Sequence, residues 1–384
     1  MTIVQRRPPG RPNWRQPKDF DIGTSAHPYQ VKKLFRNCFI IGRRFRLAHV
    51  KFGTKVVEVA TFRRQVTADE AAAEAAAAEA PPSPEHGHLM HRDNSFGTDE
   101  EDAFRRDFTI NALFYDIATF SIIDYVGGIE DLRARVIRSI GDPDARFRED
   151  PVRMQRAISF AARLDFSLDV PVAATITRLG SHLALAAPAR LMDEYHKILK
   201  SGAAERTFAA LRAAGLLAAL SRVLDDGAAG SDLPSSLARL DAYRQRFREA
   251  PPALTNAILL GSLVVPLGFS QAGAPAWLAD GDRPGLNLGV VPLARRDLER
   301  THQILMLQRR LREPSRSAQA RRMLMQRAAF GEALTWLQIH GDSTDVLAFW
   351  QEQLATTTQS SIGEIPRRRR RRSGRRRPRK PDPA

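Results

Sequence analysis

The chain has 384 residues, with 59 Lys and Arg against 43 Asp and Glu for a formal net charge of +16, which bounds it to two or three domains with a polyanionic partner in view. Its 43% hydrophobic content excludes a wholly disordered chain. No apolar run reaches the roughly 18 residues of a membrane span, and the basic, Pro-rich start is no secretory signal. The single cysteine, Cys38, excludes an internal disulfide or a Cys-based zinc site and fits a reducing compartment.

Residues 1–16 read as an irregular basic arm. Ser25 is a candidate N-cap for a helix over 27–35. Residues 38–42, 46–52 and 56–62 are short β-rich runs, with Gly53-Thr54 as a hairpin turn between the last two. Residues 67–85, rich in Ala and Glu and ended by Pro81-Pro82, read as a low-complexity solvent loop. Structure resumes near His91, and 120–126 reads as a further strand before Gly127-Gly128. Beyond about residue 150 the pattern turns helical, at 151–165, 170–180, 187–200 and 203–221. A Gly/Ser-rich stretch at 225–236 reads as a linker. Helical spacing returns at 236–262, 291–312, 316–339 and 343–355, with a Gly/Pro-rich stretch at 264–288.

The fold class is therefore α+β. A small α/β head spans 17–148, a helical neck 149–225, a helical body 236–356 and a basic tail 357–384. From Arg367 to Lys380, eleven of fourteen residues are Arg or Lys, and without 367–384 the net charge falls to +6. The run Arg367, Arg368, Arg369, Arg370, Arg371 and Arg372 is disordered by self-repulsion and suited to phosphate contacts through counterion release. A solubilising tail, or one that meets acidic lipid, is the plainer alternative.

Four places carry candidate chemistry. Asp19 and Asp21 alternate on an extended segment, so both carboxylates reach one face and suit a hard divalent cation such as Mg²⁺. Asp-x-Asp is also common as a solvated surface pair. Glu58 interrupts the apolar run Val56 to Ala60, where a charge needs a partner, a metal or an edge position. Arg105, Arg106 and Asp107 open the block DAFRRDFTIN, which ends at Asn111, and guanidinium groups clamp phosphates well. The segment EDPVRMQR begins with Asp150 as N-cap and Pro151 in the first turn, so Asp150, Arg153 and Arg156 share one helix face. An Asp/Arg pair can read a base edge, but the same pair fits both adenine and cytosine. An N-cap with an ordinary i,i+3 ion pair is the bland reading.

The order of these blocks carries more than each alone. PKDFDIGTSAHPYQVKKLFRN, IIGRRFRLAHVKFG, EVATFR, EEDAFRRDFTINALFYD and DYVGGIEDLRARVIRSIGDPDARFREDPVRMQRA resemble the bacterial poly(A) polymerase I family, a branch of the nucleotidyltransferase superfamily that also holds the tRNA CCA-adding enzymes. The match covers about 17–165, and GRRFRLAHV resembles the polymerase branch. The resemblance implies a nucleotidyltransferase head, with Asp19 and Asp21 as the metal-binding catalytic pair and Asp107 as a third catalytic Asp. Glu58 matches an acidic position in the same strands. Arg106, Asn111, Asp150, Arg153 and Arg156 match positions that hold or read the nucleotide. The implied reaction is template-independent transfer of AMP from ATP to an RNA 3′-hydroxyl with two Mg²⁺ ions, in the cytoplasm, with RNA 3′ ends as partner and no membrane. CCA addition to tRNA, or an inactive RNA-binding relative, are the alternatives.

The chain departs from that pattern in three places. The family has an apolar strand ending in Gly-Gly and an Arg-Asp before the paired aspartates. Here Arg6 to Gln16, RRPPGRPNWRQ, stands in its place, so a head strand and a phosphate cradle are expected to be missing. A start codon placed too far downstream is favoured over a degenerate gene, because the downstream carboxylates remain. Ser159 stands where the family continues its arginine spacing, and the Ala/Glu segment 67–79 stands where the family has a polar loop.

Overall fold

The computed structural model describes residues 2–5, 21–42, 46–64, 95–270, 272, 279–280, 283–286, 288–291, 293–313 and 317–363. Asp19, the low-complexity loop 67–85 and the arginine tail lie outside them. The chain divides into two compact units, Met1–Gln303 and Ile304–Ala384. That boundary falls inside the stretch 236–356 that the sequence suggests is one body.

The first unit opens with a seven-stranded sheet of β1 (Thr2–Gln5), β2 (Asp21–Thr24), β3 (Cys38–Ile41), β4 (Leu47–Phe52), β5 (Lys55–Thr61), β6 (Leu113–Asp116) and β7 (Ser121–Asp124). Their order is β3-β4-β5-β2-β1-β6-β7. β2 and β5 run parallel, with Asp21 opposite Glu58 and Ile22 opposite Val59. The other pairings are antiparallel. Gly53, at φ +60°, makes the tight turn between β4 and β5, as its position in the sequence predicts. Within the arm 1–16 expected to be irregular, Thr2–Gln5 is a strand, paired on one side with β2 and on the other with β6. A strand thus occupies the slot next to the carboxylate strand.

Alternation gives the sheet two unlike faces. Val31 of the helix Pro28–Leu34 packs with Cys38, Ala48, Val50 and Val59, and Ile22 joins them. Asp21, Phe39 and Glu58 fall on the other face and are exposed. The helix is capped by His27 in a capping box with Gln30 rather than by Ser25, whose place the turn after β2 takes. A second cluster packs Phe62, Ala112, Phe114 and Ile140 with Ala103 of the helix Asp99–Phe104, whose N-terminus Thr98 and Glu101 cap reciprocally.

The rest of this unit is mostly helical. The helix Val152–Leu164 is flanked by a two-stranded parallel ribbon of Val136–Ile137 and Ser167–Leu168. The stretch 203–221 is two helices, Ala204–Ala213 and Leu216–Leu220, because Gly215 adopts φ +72° between them. The expected linker 225–236 is helical instead, within Arg222–Ala229 and Asp232–Gln245, where Leu224 and Leu233 are buried. Within 264–288, Ala279–Asp280 and Arg283–Leu286 form a small antiparallel ribbon. In the second unit, Trp350 is fully buried against Phe330 and donates its indole N–H to the Leu311 carbonyl at 2.9 Å. Gln308 donates to the carbonyls of Ile304 and Ala333. No helix among the described residues is long and apolar enough to cross a membrane.

Candidate active site

The site grows from the open face of the sheet. Asp21 and Glu58 are register neighbours on adjacent parallel strands, so their side chains leave the sheet on the same side about 4.8 Å apart at the backbone. His49 faces Glu58 from β4, with Nε2 at 3.4 Å from Oε1. Two carboxylates side by side repel unless something positive lies between them. A cleft of about 380 Å³ opens here, lined by Asp21, Gly23, Ala60, Arg63, Arg105 and Arg106 among others. The structure therefore brings together Asp21 and Arg106, which lie 85 positions apart in the sequence, and sets Glu58 beside Asp21.

Arg106 is held rather than loose. Its Nε and one terminal nitrogen donate to Asp102 Oδ2 at 3.1 and 2.8 Å, its other terminal nitrogen donates to the Asn111 carbonyl at 3.0 Å, and its plane lies over Phe114. Asp102 is buried and also accepts from Arg105 Nε at 3.0 Å and from the Arg63 backbone N–H at 3.2 Å. One buried carboxylate thus fixes two arginines on the rim of the cleft, leaving the rim cationic. The sequence block contains Asp102, but its service to both arginines comes from i+3 and i+4 helical geometry at a helix end.

Asp107 is committed elsewhere. Its Oδ1 accepts from the Phe108 backbone N–H and from Asn111 Nδ2, at 2.9 and 3.1 Å. Its Oδ2 accepts from Arg156 Nε at 2.7 Å. Arg156 in turn donates to Glu194 Oε1 at 3.1 Å, and Lys197 donates to the same oxygen at 2.6 Å. Burial works against the Arg156 charge, but the Asp107 and Glu194 carboxylates outweigh it and hold its pKa above the ordinary arginine value. Asn111 and Arg156, expected to hold the nucleotide, are thus seen holding Asp107.

The third group is Asp150 and Arg153. The helix Val152–Leu164 is preceded by Pro151 at the cap, one residue later than the sequence suggests, while Asp150 Oδ1 still accepts from the Val152 backbone N–H at 3.3 Å. Asp150 Oδ2 accepts from Arg190 at 2.7 Å and stands 3.9 Å from Arg153 Nε. Arg153 donates to Glu149 and to the Arg146 carbonyl. Arg146 is a buried arginine that sequence reasoning passes over. It donates to the carbonyls of Arg105 and Arg106 at 2.7 and 2.6 Å, joining the rim of the cleft to the Asp150 segment. Burial and the neighbouring Arg153 charge push its pKa down, with Glu149 and Asp107 opposing.

Among the described residues no group of three or more His, Cys, Asp or Glu is placed to hold a metal. Asp21 and Glu58 nevertheless supply oxygen donors of the kind Mg²⁺ takes, and that ion commonly uses only one or two carboxylates beside substrate phosphates.

Comparison with known proteins places this geometry. Residues 13–138 match the poly A polymerase head domain, and 165–226 match the family described as the probable RNA and SrmB-binding site of polymerase A. Poly(A) polymerase I of Salmonella typhimurium is 50% identical over 198 residues, 52% of this chain and 41% of that protein. A CCA-adding enzyme of Lactobacillus helveticus is 37% identical over 155 residues, 40% of this chain and 35% of its own. The solved Bacillus stearothermophilus CCA-adding enzyme in complex with CTP superposes with a TM-score of 0.59 at 27% identity, over 90% of this chain and 74% of that one. The matched part spans about two fifths of the length of the curated polymerase, 41%.

Proposed function

Because the chain belongs to the poly(A) polymerase family over residues 13–138 and 165–226, we propose that it transfers AMP from ATP to the 3′-hydroxyl of RNA without a template. The observation that carries this reading is Asp21 in a cleft rimmed by Arg105 and Arg106, with Glu58 beside it on the open face of the adjacent strand. Cytoplasmic RNA 3′ ends are the partner, and extension marks them for decay.

Asp21 and Glu58, with Asp19 outside the described residues, hold Mg²⁺ in this reading. When bound, the ion makes the attacking hydroxyl more acidic and offsets charge on the leaving phosphates. The RNA oxygen forms its bond to the α-phosphorus while the bond to the bridging oxygen breaks and pyrophosphate departs in line. Arg105 and Arg106, oriented in advance by Asp102, face the triphosphate with little reorganisation cost. Asp150 accepts from the adenine amino group and Arg153 donates to the adjacent ring nitrogen. Arg156 and Asn111 hold Asp107 in orientation. The tail Arg367 to Arg372, outside the described residues, holds RNA phosphates.

The test is incorporation by the purified chain with Mg²⁺, an unstructured RNA primer, and ATP or CTP supplied separately. Long A-only extension is expected. CTP addition to tRNA lacking its terminus would favour the CCA-adding alternative, and RNA binding without incorporation would favour the inactive relative. Removing 367–384 is expected to flatten the dependence of RNA affinity on salt, and an unchanged slope would take the tail off the RNA.

A further inference from the structure

One helix outside every motif block holds two of the motif residues. On Pro188–Leu199, Arg190 and Glu194 are one turn apart and so share a face. Arg190 donates to Asp150 Oδ2 at 2.7 Å. Glu194 accepts from Arg156 at 3.1 Å, and Arg156 reaches Asp107 at 2.7 Å. Lys197 balances Glu194 from the solvent side at 2.6 Å. Both ion pairs span long sequence separations, so neither is a local by-product of helix geometry.

We propose that Arg190 and Glu194 are positioning residues for nucleotide selection, fixing the Asp150 carboxylate so that it meets the amino group of a purine but not that of a pyrimidine. This rests on the nucleotide-reading role of Asp150 and Arg153 given above. Adenine and cytosine offer the same pair of groups, an amino donor beside a ring-nitrogen acceptor, so hydrogen-bond type cannot separate them. What differs is reach: the purine carries its amino group farther from the ribose. A carboxylate free to swing follows either base. One whose two oxygens are pinned, Oδ1 by the Val152 N–H and Oδ2 by Arg190, serves a single position. Each carboxylate oxygen keeps a second lone-pair direction for the base. Glu194 sets Arg156, one helical turn beyond Arg153, and so limits how far the helix face bearing the reading pair can shift.

The experiment compares the full-length chain with Arg190→Ala, Arg190→Lys and Glu194→Gln. It measures kcat and KM for single addition of A or C to an RNA primer, the dissociation constants of ATP and CTP with Mg²⁺, and the thermal midpoint. Arg190→Ala is expected to relax the ATP-to-CTP ratio of kcat/KM by roughly five- to tenfold, mostly through CTP gaining, with the midpoint nearly unmoved because Arg190 is largely solvent-exposed. Arg190→Lys should restore part of the ratio. Glu194→Gln should relax it by a smaller factor, and if that variant melts below the assay temperature Arg190→Ala alone decides. An unchanged ratio in Arg190→Ala overturns the proposal, as does a loss that falls equally on both nucleotides. If the unaltered chain adds no nucleotide, the transfer reading fails by itself, and the ratio of dissociation constants then judges Arg190. A chain that binds neither nucleotide overturns both.

Discussion

The open face of the sheet and the junction around the helix Val152–Leu164 treat their charges in opposite ways. On the sheet, Asp21 and Glu58 stand side by side with His49 as the nearby basic group beside Glu58. At the junction, acid and base alternate: Asp107 with Arg156, Arg156 with Glu194, Glu194 with Lys197, Asp150 with Arg190. A self-neutralising network needs no ligand to be stable, whereas adjacent carboxylates cost stability until a cation arrives. The contrast separates carboxylates that await a cation from carboxylates already paired, although Asp21, Glu58, Asp107 and Asp150 look equally functional in sequence.

The largest test of that contrast is Asp21→Asn. Incorporation is expected to fall by at least about a thousandfold, while removing like-charge repulsion raises the thermal midpoint in chelator by about 1–3 °C. Mg²⁺ should raise the midpoint of the unaltered chain and leave that of the variant unmoved. A variant that melts lower in chelator would mean that Asp21 is a structural residue and the two regions are alike. Arg156→Ala should do the reverse of this in stability. It leaves Asp107 and Glu194 without their shared partner and is expected to cost about 2–4 kcal/mol in urea unfolding. Lost nucleotide affinity with unchanged stability would return Arg156 to the role the motif suggests.

What was legible follows from range. The hairpin at Gly53 and the helix opening after Asp150-Pro151 depend on residues within a few positions of each other, where turn chemistry and capping act, whereas the pairing of Asp21 with Glu58 is made by two strands distant in sequence. The linker expected at 225–236 is absent because burial overrides composition: Leu224 and Leu233 anchor helices through a Gly/Ser-rich stretch. The strand Thr2–Gln5 carries too few residues before the Arg- and Pro-rich run to signal itself, and its pairing with both β2 and β6 is a tertiary fact. Arg190, Glu194 and Arg146 escaped for the same reason. Nothing local marks a buried arginine that serves two distant carbonyls, or a surface arginine that pins a carboxylate 40 residues upstream.

Asp124 gives the finest test, because it is a carboxylate satisfied by neutral donors rather than by arginines or a metal. It accepts the backbone N–H groups of Val126, Gly128 and Ile129 and so closes the turn that leads into the helix Gly128–Ala134. Gly128 itself allows no side chain, since an added Cβ would lie 2.4 Å from the Thr109 carbonyl. Burial raises the Asp124 pKa, but those N–H groups outweigh it and hold it below the ordinary 3.8. A carboxylate depressed in the folded state stabilises above its unfolded pKa, and that contribution fades as pH falls through the folded value. The unaltered chain should therefore exceed Asp124→Asn by about 1 kcal/mol at pH 6, with the gap closing below pH ~4. Asp21→Asn instead removes a carboxylate standing beside Glu58, so at pH 6 it should raise stability where Asp124→Asn lowers it. Equal shifts in urea titrations at pH 3 and pH 6 would show that the open face is as well satisfied as the turn, and the distinction between the two regions would fall.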